Sequence, residues 1–196
     1  MSTQDYSQES KESEAFDLQP YLAGDLVELR PLRPEDWEEL FAVASDPLIW
    51  EQHPARDRYR EQVFREFFRE ALESGGAFVI IDCKTRQMIG SSRYFGFDPG
   101  KSEIEIGWTF LARAYWGGRY NGEIKRLMLD HAFNFIERVV FVIGATNFRS
   151  QKALEKIGGA LIGRRNKIDL NGRTIENVVY QIKRSTTTLQ NPDWSG

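Results

Sequence analysis

The segment E-I-E-I-G-W-T-F-L at residues 103–111, followed by A-Y-W-G-G-R-Y-N-G-E at residues 114–123, indicates the fold most clearly. Within 103–111, isoleucines alternate with glutamates, the period-two pattern of a strand with one apolar face. Segment 114–123 is rich in glycine and runs into a helical pattern that reaches about residue 138. A strand, a glycine-rich loop and a helix in this order direct free backbone N–H groups and the positive helix end at one place. The sequence therefore predicts an anion site over residues 117–122.

Other kinds of loop fit this segment less well. A nucleotide-binding P-loop needs Gly-Lys followed by Ser or Thr, and residues 114–123 contain no lysine. A dinucleotide-binding loop follows a strand that opens a βαβ unit, whereas strand 103–111 ends a series of hairpins. A plain tight turn between strand and helix remains the structural alternative.

The rest of the chain places this junction inside one domain of class α/β (α+β). Hydrophobic periodicity and turn residues predict a mixed, mostly antiparallel twisted sheet flanked by helices. The predicted strands are 26–32, 77–83, 88–97, 103–111, 139–143, 160–169 and 174–183, and Asn171-Gly172 is a hairpin-turn signal between the last two. The predicted helices are 34–45, 57–73, the segment up to 138, and 148–157.

Composition limits the class of protein. The chain has 196 residues, a single cysteine and a formal net charge of −3. Residues 1–19 hold five acids and one base, so this segment accounts for the negative charge, and we expect a disordered acidic tail there. We place the domain at residues 20–185 and a C-terminal tail at 186–196. The near-neutral domain argues against a nucleic-acid partner. The lack of a long apolar run or signal pattern argues against a membrane and for the cytoplasm.

Two motifs resemble those of GNAT acetyltransferases, in particular the ribosomal-protein acetyltransferases of the RimJ/RimL type. The first is the junction at 103–123, and the second is N-F-R-S-Q-K-A-L-E-K-I-G at 147–158. The likeness extends over about residues 25–183. It implies a splayed central strand pair that receives the pantetheine arm of acetyl-coenzyme A (acetyl-CoA), direct acetyl transfer to an amine in a ternary complex, and no metal. It leaves the choice between a peptide N-terminal amine and a small amine open, and also that between a monomer and a homodimer.

The resemblance also assigns residues to acetyl-CoA. The predicted cofactor-binding residues are Trp108, Phe110, Gly117, Gly118, Arg119, Tyr120, Asn121, Gly122, Asn147 and Lys152. The family has small residues where Arg119 and Asn121 stand, so this loop departs from the pattern. Asn147 also suits a helix N-cap, and the two roles can coexist.

Catalysis needs a base for the amine and a proton for the departing thiolate. Many family members donate that proton from a tyrosine, whose position here is Leu154, so we predict Ser150 as the donor. Glu105 matches the family's glutamate and is the predicted base, and His53 and Trp50 are predicted to bind substrate. The alternatives are an ordinary first-turn serine, a solvated or ion-paired glutamate and an exposed loop histidine. A non-catalytic regulator that binds acyl-CoA is the alternative function.

Overall fold

The computed structural model of the protein describes residues 15–168 and 174–184. The strands are β1 (Leu22–Ala23), β2 (Val27–Pro31), β3 (Ala77–Asp82), β4 (Met88–Asp98), β5 (Glu103–Leu111), β6 (Arg138–Gly144), β7 (Ala160–Ile168) and β8 (Thr174–Lys183). The helices are α1 (Trp37–Ala44), α2 (Glu61–Glu73), α3 (Arg119–Ala132) and α4 (Phe148–Lys156). None of the helices in the described ranges is long and apolar enough to cross a bilayer.

The strands form one mixed sheet in the order β1-β2-β3-β4-β5-β6-β8-β7. Every neighbouring pair is antiparallel except β5 and β6, which are parallel. The predicted mixed, mostly antiparallel sheet flanked by helices is therefore confirmed. The turn predicted at Asn171-Gly172 lies outside the described residues.

The parallel strands separate before either of them ends. β5 and β6 are in register only at Glu103 with Arg138, Ile104 with Val139, and Glu105 with Val140. Beyond these positions β5 continues to Leu111 and β6 to Gly144, and the two strands no longer pair. The predicted splayed pair is present, and it leaves a wedge-shaped opening in the middle of the sheet.

A bulge turns the end of β5. On β4, Ser91 pairs with Phe110 and Arg93 pairs with Gly107, so β5 has one residue more than β4 over this stretch. Trp108, inside the bulge, has a φ of +53°, a region that bulky residues rarely occupy. Bulges of this kind bend a strand and redirect its side chains, often beside active sites.

Two hydrophobic cores cover the two faces of the sheet. α3 packs on one face through residues spaced three and four apart, namely Ile124, Leu127, Met128 and Ala132. α1 and α2 cover the other face, where α2 contributes Phe64, Phe67, Phe68 and Ala71. Phe110 lies in this second core, whereas Ile104 and Ile106 lie in the first. The bulge at Trp108 shifts the alternation of side chains along β5, so that Phe110 faces the second core instead of the first.

The boundaries of α3 differ from the prediction. The helix begins at Arg119, inside the segment expected to be loop, and ends at Ala132 rather than near residue 138. Phe133, Phe135 and Ile136 continue the apolar pattern, but they form a turn that packs on the same core and leads into β6. Periodicity cannot distinguish such a turn from another turn of helix.

The segment 15–19 is ordered against the core, contrary to the predicted tail over 1–19. The ring of Phe16 packs against Tyr94 (ring centroids 5.5 Å apart) and Phe135 (5.2 Å). His131 Nε2 donates to the carbonyl oxygen of Asp17 at 2.8 Å. Averaging composition over nineteen residues concealed the one aromatic side chain that anchors this segment. Residues 1–14 and the C-terminal tail predicted at 186–196 lie outside the described residues.

Candidate functional site

A cavity of about 530 Å³ lies at the end of β5, beyond the point where β5 stops pairing with β6. Its walls come from the end of β5, the first turn of α3, α4, and the helical turn Pro47–Trp50. Ligand sites usually have volumes of about 300–1,000 Å³. The cavity is therefore large enough for an extended organic ligand.

The loop before α3 presents to this cavity backbone N–H groups that bond to no other described residue. Gly117 has a φ of +79°, which only glycine adopts at low cost. Gly118 is the N-cap of α3 and supplies no side-chain cap, and the first turn of the helix carries no acid. The N–H groups of that turn and the positive helix end are thus available to an anion. Asn121 and Gly122, on the same turn, also line the cavity.

The charged side chains lining the cavity are all basic. Arg149, Lys152 and Lys156 are among the lining residues, and no Asp or Glu is. The guanidinium of Arg149 stacks 3.7 Å from the centre of the Trp116 ring, and its Nη2 donates to the carbonyl oxygen of Ile49 at 3.4 Å. A cavity wall that carries only positive charge favours a negatively charged ligand, here one with phosphate groups. Within the described ranges, no three His, Cys, Asp or Glu side chains group as a metal ion would require.

The start of α4 brings a hydroxyl group into the cavity. Asn147 Oδ1 accepts a hydrogen bond from the Ser150 backbone N–H at 3.2 Å, so Asn147 is a helix N-cap as the alternative interpretation held. Ser150 lines the cavity, and its hydroxyl makes no hydrogen bond to any described residue. Leu154, in the family's tyrosine position, is buried in the core. Ser150 is therefore the hydroxyl that α4 offers to a ligand.

Glu105 stands where the two parallel strands separate. It is the last residue of β5 paired with β6, and it alternates with the buried Ile104 and Ile106, so it lies on the α2 face of the sheet. Burial raises the pKa of Glu105 to about 7, and the positive charge of Arg165 acts in the opposite direction. Glu103, on the same face, has a carboxylate oxygen 3.7 Å from Arg138 Nε. The two glutamates are thus in different environments.

His53 and Trp50 both line the cavity, and the neighbouring Ile49 and Gln52 are hydrogen-bonded to Arg149 at the start of α4. His53 Nδ1 accepts from the Ala55 backbone N–H at 2.9 Å, and Nε2 lies 3.2 Å from Nη1 of Arg58. Burial, followed by the charge of Arg58, lowers the pKa of His53 to about 3, so the imidazole is neutral. Trp50 is buried and donates from Nε1 to the carbonyl oxygen of Ala44 at 2.8 Å.

The structure brings ten of the fourteen predicted site residues to this cavity. They are Trp50, His53, Phe110, Gly117, Gly118, Asn121, Gly122, Asn147, Ser150 and Lys152.

Glu105, Trp108, Arg119 and Tyr120 lie outside its lining. Arg119 is exposed at the start of α3, and the Tyr120 hydroxyl donates to Asp82 Oδ1 at 3.1 Å, away from the cavity. These two residues can therefore contribute to the anion site only through their backbone. Trp108, redirected by the bulge, packs on Phe95 with ring centroids 5.0 Å apart.

Two buried cationic side chains that contact the end of β5 were not predicted from the sequence. Lys125 of α3 is buried, and its Nζ donates to Oγ1 of Thr109, a cavity residue, at 2.6 Å. Burial lowers the pKa of Lys125 to about 7. Arg93 of β4 is also buried, at 3% exposure, and its guanidinium contacts the rings of Phe67 and Trp108. Each position looks like an ordinary polar surface position until the tertiary packing is known.

Comparison with known proteins identifies the family. The family model of the acetyltransferase (GNAT) domain matches residues 27–160. No curated protein matches the sequence.

Several solved structures have a similar fold. A GCN5-related N-acetyltransferase from Brucella melitensis shares 20% identity and superposes with a TM-score of 0.74, covering 84% of this chain and 79% of that one. A protein provisionally described as a ribosomal-protein-serine acetyltransferase, from Vibrio cholerae, shares 15% identity with a TM-score of 0.69 over 84% and 97% of the two chains. The microcin C7 self-immunity acetyltransferase MccE, solved with acetyl-CoA and AMP, shares 16% identity with a TM-score of 0.69 over 86% and 99%.

Proposed function

This chain belongs to the GNAT acetyltransferase family, and on that basis we propose that it transfers an acetyl group from acetyl-CoA to an amine within a ternary complex. One observation carries the proposal: the parallel strands separate after Glu105, directly beside a cationic cavity at the start of a helix. The acceptor is a peptide N-terminal amine or a small amine. The cytoplasm is its proposed location.

The residues of the cavity fit acetyl-CoA. Its pyrophosphate would lie over Gly117, Gly118 and the first turn of α3, where backbone N–H groups are unbonded. Lys152 and Arg149 would neutralise phosphate charge. The pantetheine arm would enter the opening between β5 and β6, where backbone groups near Phe110 can pair with its amides much as an added strand does.

The proposed reaction is a direct displacement at the thioester carbon. The amine nitrogen forms the new C–N bond as the C–S bond breaks, and the amine proton passes to Glu105 directly or through water. A base with a pKa near the working pH is the efficient choice, and the pKa of Glu105 is about 7. The departing thiolate takes its proton from the hydroxyl of Ser150, which already faces the cavity. Water returns a proton to the serine oxygen, and Glu105 releases the amine proton to solvent, so both groups are restored for the next turnover.

A non-catalytic acyl-CoA-binding regulator is the second candidate. Two observations favour it: Glu105 does not line the cavity, and Arg119 and Asn121 stand in the phosphate loop where the family has small residues. Such a protein would bind acyl-CoA without turnover.

Two measurements separate these functions. Calorimetric titration with coenzyme A should show binding, and absence of binding at millimolar ligand contradicts both functions. Thiol release from acetyl-CoA is then followed with a panel of small amines and N-terminal peptides. Release that depends on one class of acceptor supports the transferase, whereas binding with no release above the hydrolytic background supports the regulator.

A further inference from the structure

Arg93 is a buried charge without a counter-ion among the described residues. It is 3% exposed, and its Nε and Nη2 atoms are sealed from solvent without a hydrogen-bond partner in the same ranges. The guanidinium carbon lies 4.8 Å from the centre of the Trp108 ring and 5.5 Å from that of Phe67. Contact with aromatic faces recovers only a fraction of the hydration that a buried guanidinium loses.

A second arginine adds to this charge instead of cancelling it. Arg58 lies 4.6 Å from the centre of the same Phe67 ring, and its Nη1 is 3.2 Å from His53 Nε2 on the cavity wall. Burial, followed by the charge of Arg93, lowers the pKa of Arg58 to about 10. Glu70 and Asp57 are the acids whose charge reaches this pair, but neither forms a salt bridge with it where the chain is described.

The hydrogen bonds around His53 are also incomplete. Its Nδ1 accepts from the Ala55 N–H, so a neutral ring carries its proton on Nε2. The Nε2–H group then faces Nη1 of Arg58, so that two hydrogen-bond donors face each other without an acceptor. An acceptor oxygen placed beside the two nitrogens, within hydrogen-bond distance of each, would satisfy both groups.

Arg93 lies close to the proposed base, and Arg58 contacts the same Phe67 ring as Arg93. Arg93 and Phe95 are two residues apart on β4, a separation of about 7 Å along a strand. Phe95 pairs with Glu105 across the sheet, and all three lie on the α2 face. A molecule with its amine at Glu105 would thus reach the arginines with a group a few ångströms from that amine.

We propose that the acceptor substrate carries a carboxylate close to the amine that receives the acetyl group, and that Arg93 and Arg58 bind this carboxylate. The inference rests on the proposed acetyltransferase function and narrows its substrate class. The planar guanidinium fork matches a carboxylate with two parallel hydrogen bonds. A phosphate offers the same oxygens, so the experiment includes one.

The experiment compares three acceptors that differ only in the group beside the amine: an α-amino acid, its carboxamide, and the matching amino phosphate. The KM of the carboxylate acceptor should be at least tenfold below that of the carboxamide, and the Arg93→Met variant should reduce this ratio at least tenfold. Equal KM values for the three acceptors in the wild type would overturn the proposal, as would a preference for the phosphate over the carboxylate.

The melting temperature of Arg93→Met and two further variants, Arg93→Lys and Arg65→Met, test whether the role of Arg93 is merely structural. Arg93→Met removes an unpaired buried charge and keeps contact with both rings, so its melting temperature should equal or exceed that of the wild type. A large drop, with KM raised equally for charged and neutral acceptors, would make Arg93 structural. Arg93→Lys keeps the charge without the fork and should also reduce the ratio. Arg65→Met is the matched control, because Arg65 stacks on Trp37 at 4.3 Å but is exposed and paired with Glu61.

Binding separates this inference from the proposed function. The three acceptors are titrated by calorimetry into protein loaded with coenzyme A, which has no acetyl group to transfer. Carboxylate binding that Arg93→Met abolishes supports the inference even if no acetylation is found. Efficient acetylation of the carboxamide with no preference for the carboxylate contradicts the inference and leaves the transferase intact.

Discussion

Replacing Glu105 by glutamine should stabilise the protein at alkaline pH and impair it as an enzyme. Burial raises the pKa of Glu105 from 4.5 to about 7, so ionisation of the carboxyl opposes folding. The contribution of the protonated Glu105 carboxyl to the free energy of unfolding is complete below pH 4.5 and is lost as the pH rises through 7. A shift of two and a half units at about 1.4 kcal/mol each corresponds to a loss of about 3 kcal/mol above pH 8.

Urea unfolding of the two proteins at pH 4.5, 6, 7 and 8.5 tests this. Glutamine cannot ionise, so the difference in free energy of unfolding should be near zero at pH 4.5 and should grow in favour of Glu105→Gln to about 3 kcal/mol at pH 8.5. Glu103→Gln is the matched control: its carboxylate lies 3.7 Å from Arg138 Nε, so this variant should show no such gain. A difference independent of pH would refute the argument that Glu105 is a desolvated acid.

Activity gives the second half of the same experiment. If Glu105 is the base, Glu105→Gln should lower the rate of acetyl transfer at pH 7 by about 10²-fold or more. The deficit should shrink at high pH, where the amine is already unprotonated. Stability gained together with activity lost is typical of a residue kept for function. An unchanged rate would remove Glu105 from the mechanism.

Four other changes test separate regions of the site and fold. Ser150→Ala should lower turnover by about 10²–10⁴-fold with little effect on coenzyme A affinity; a rate within about twofold of wild type would exclude Ser150 as proton donor. A β-carbon at Gly118 meets no atom within 4 Å, so Gly118→Val should not change the melting temperature. The added side chain would occupy the proposed pyrophosphate site and should weaken coenzyme A binding at least tenfold. Gly117→Ala, at a φ of +79°, should instead cost about 1–2 kcal/mol of stability. If Gly118→Val lowered stability and Gly117→Ala weakened coenzyme A binding, the proposed position of the phosphates would be wrong. Phe16→Ala should cost about 1–3 kcal/mol in urea unfolding, because it removes a partly buried ring, and no loss would restore the view that residues 1–19 lie outside the domain.

The order of elements could be predicted from the sequence because each element has its own periodicity. β5 alternates isoleucine with glutamate, and α2 repeats its phenylalanines at helical spacing. The glycine-rich loop before α3 could be predicted from the glycines at 117 and 118 ahead of a helical pattern. These signals are local, and the structure preserves them because local preference and tertiary packing agree.

The features that escaped prediction depend on residues distant in the chain. The bulge at Trp108 exists only in relation to the register of β4, and Arg93 is buried only because Phe67 of α2 covers it. Phe16 is anchored by His131 and Phe135, more than a hundred residues away. A pattern read along one segment contains none of these relations.

The separation of β5 and β6 gives the sheet a free edge in its interior. Unpaired strand edges are templates for another chain, and proteins usually shorten, charge or cover them. Here the expected cover is the cosubstrate itself, which binds the folded state and stabilises it by about 2.7 kcal/mol at a hundred times its dissociation constant. The supply of acetyl-CoA would then govern the resistance of this protein to self-association as well as its rate of reaction.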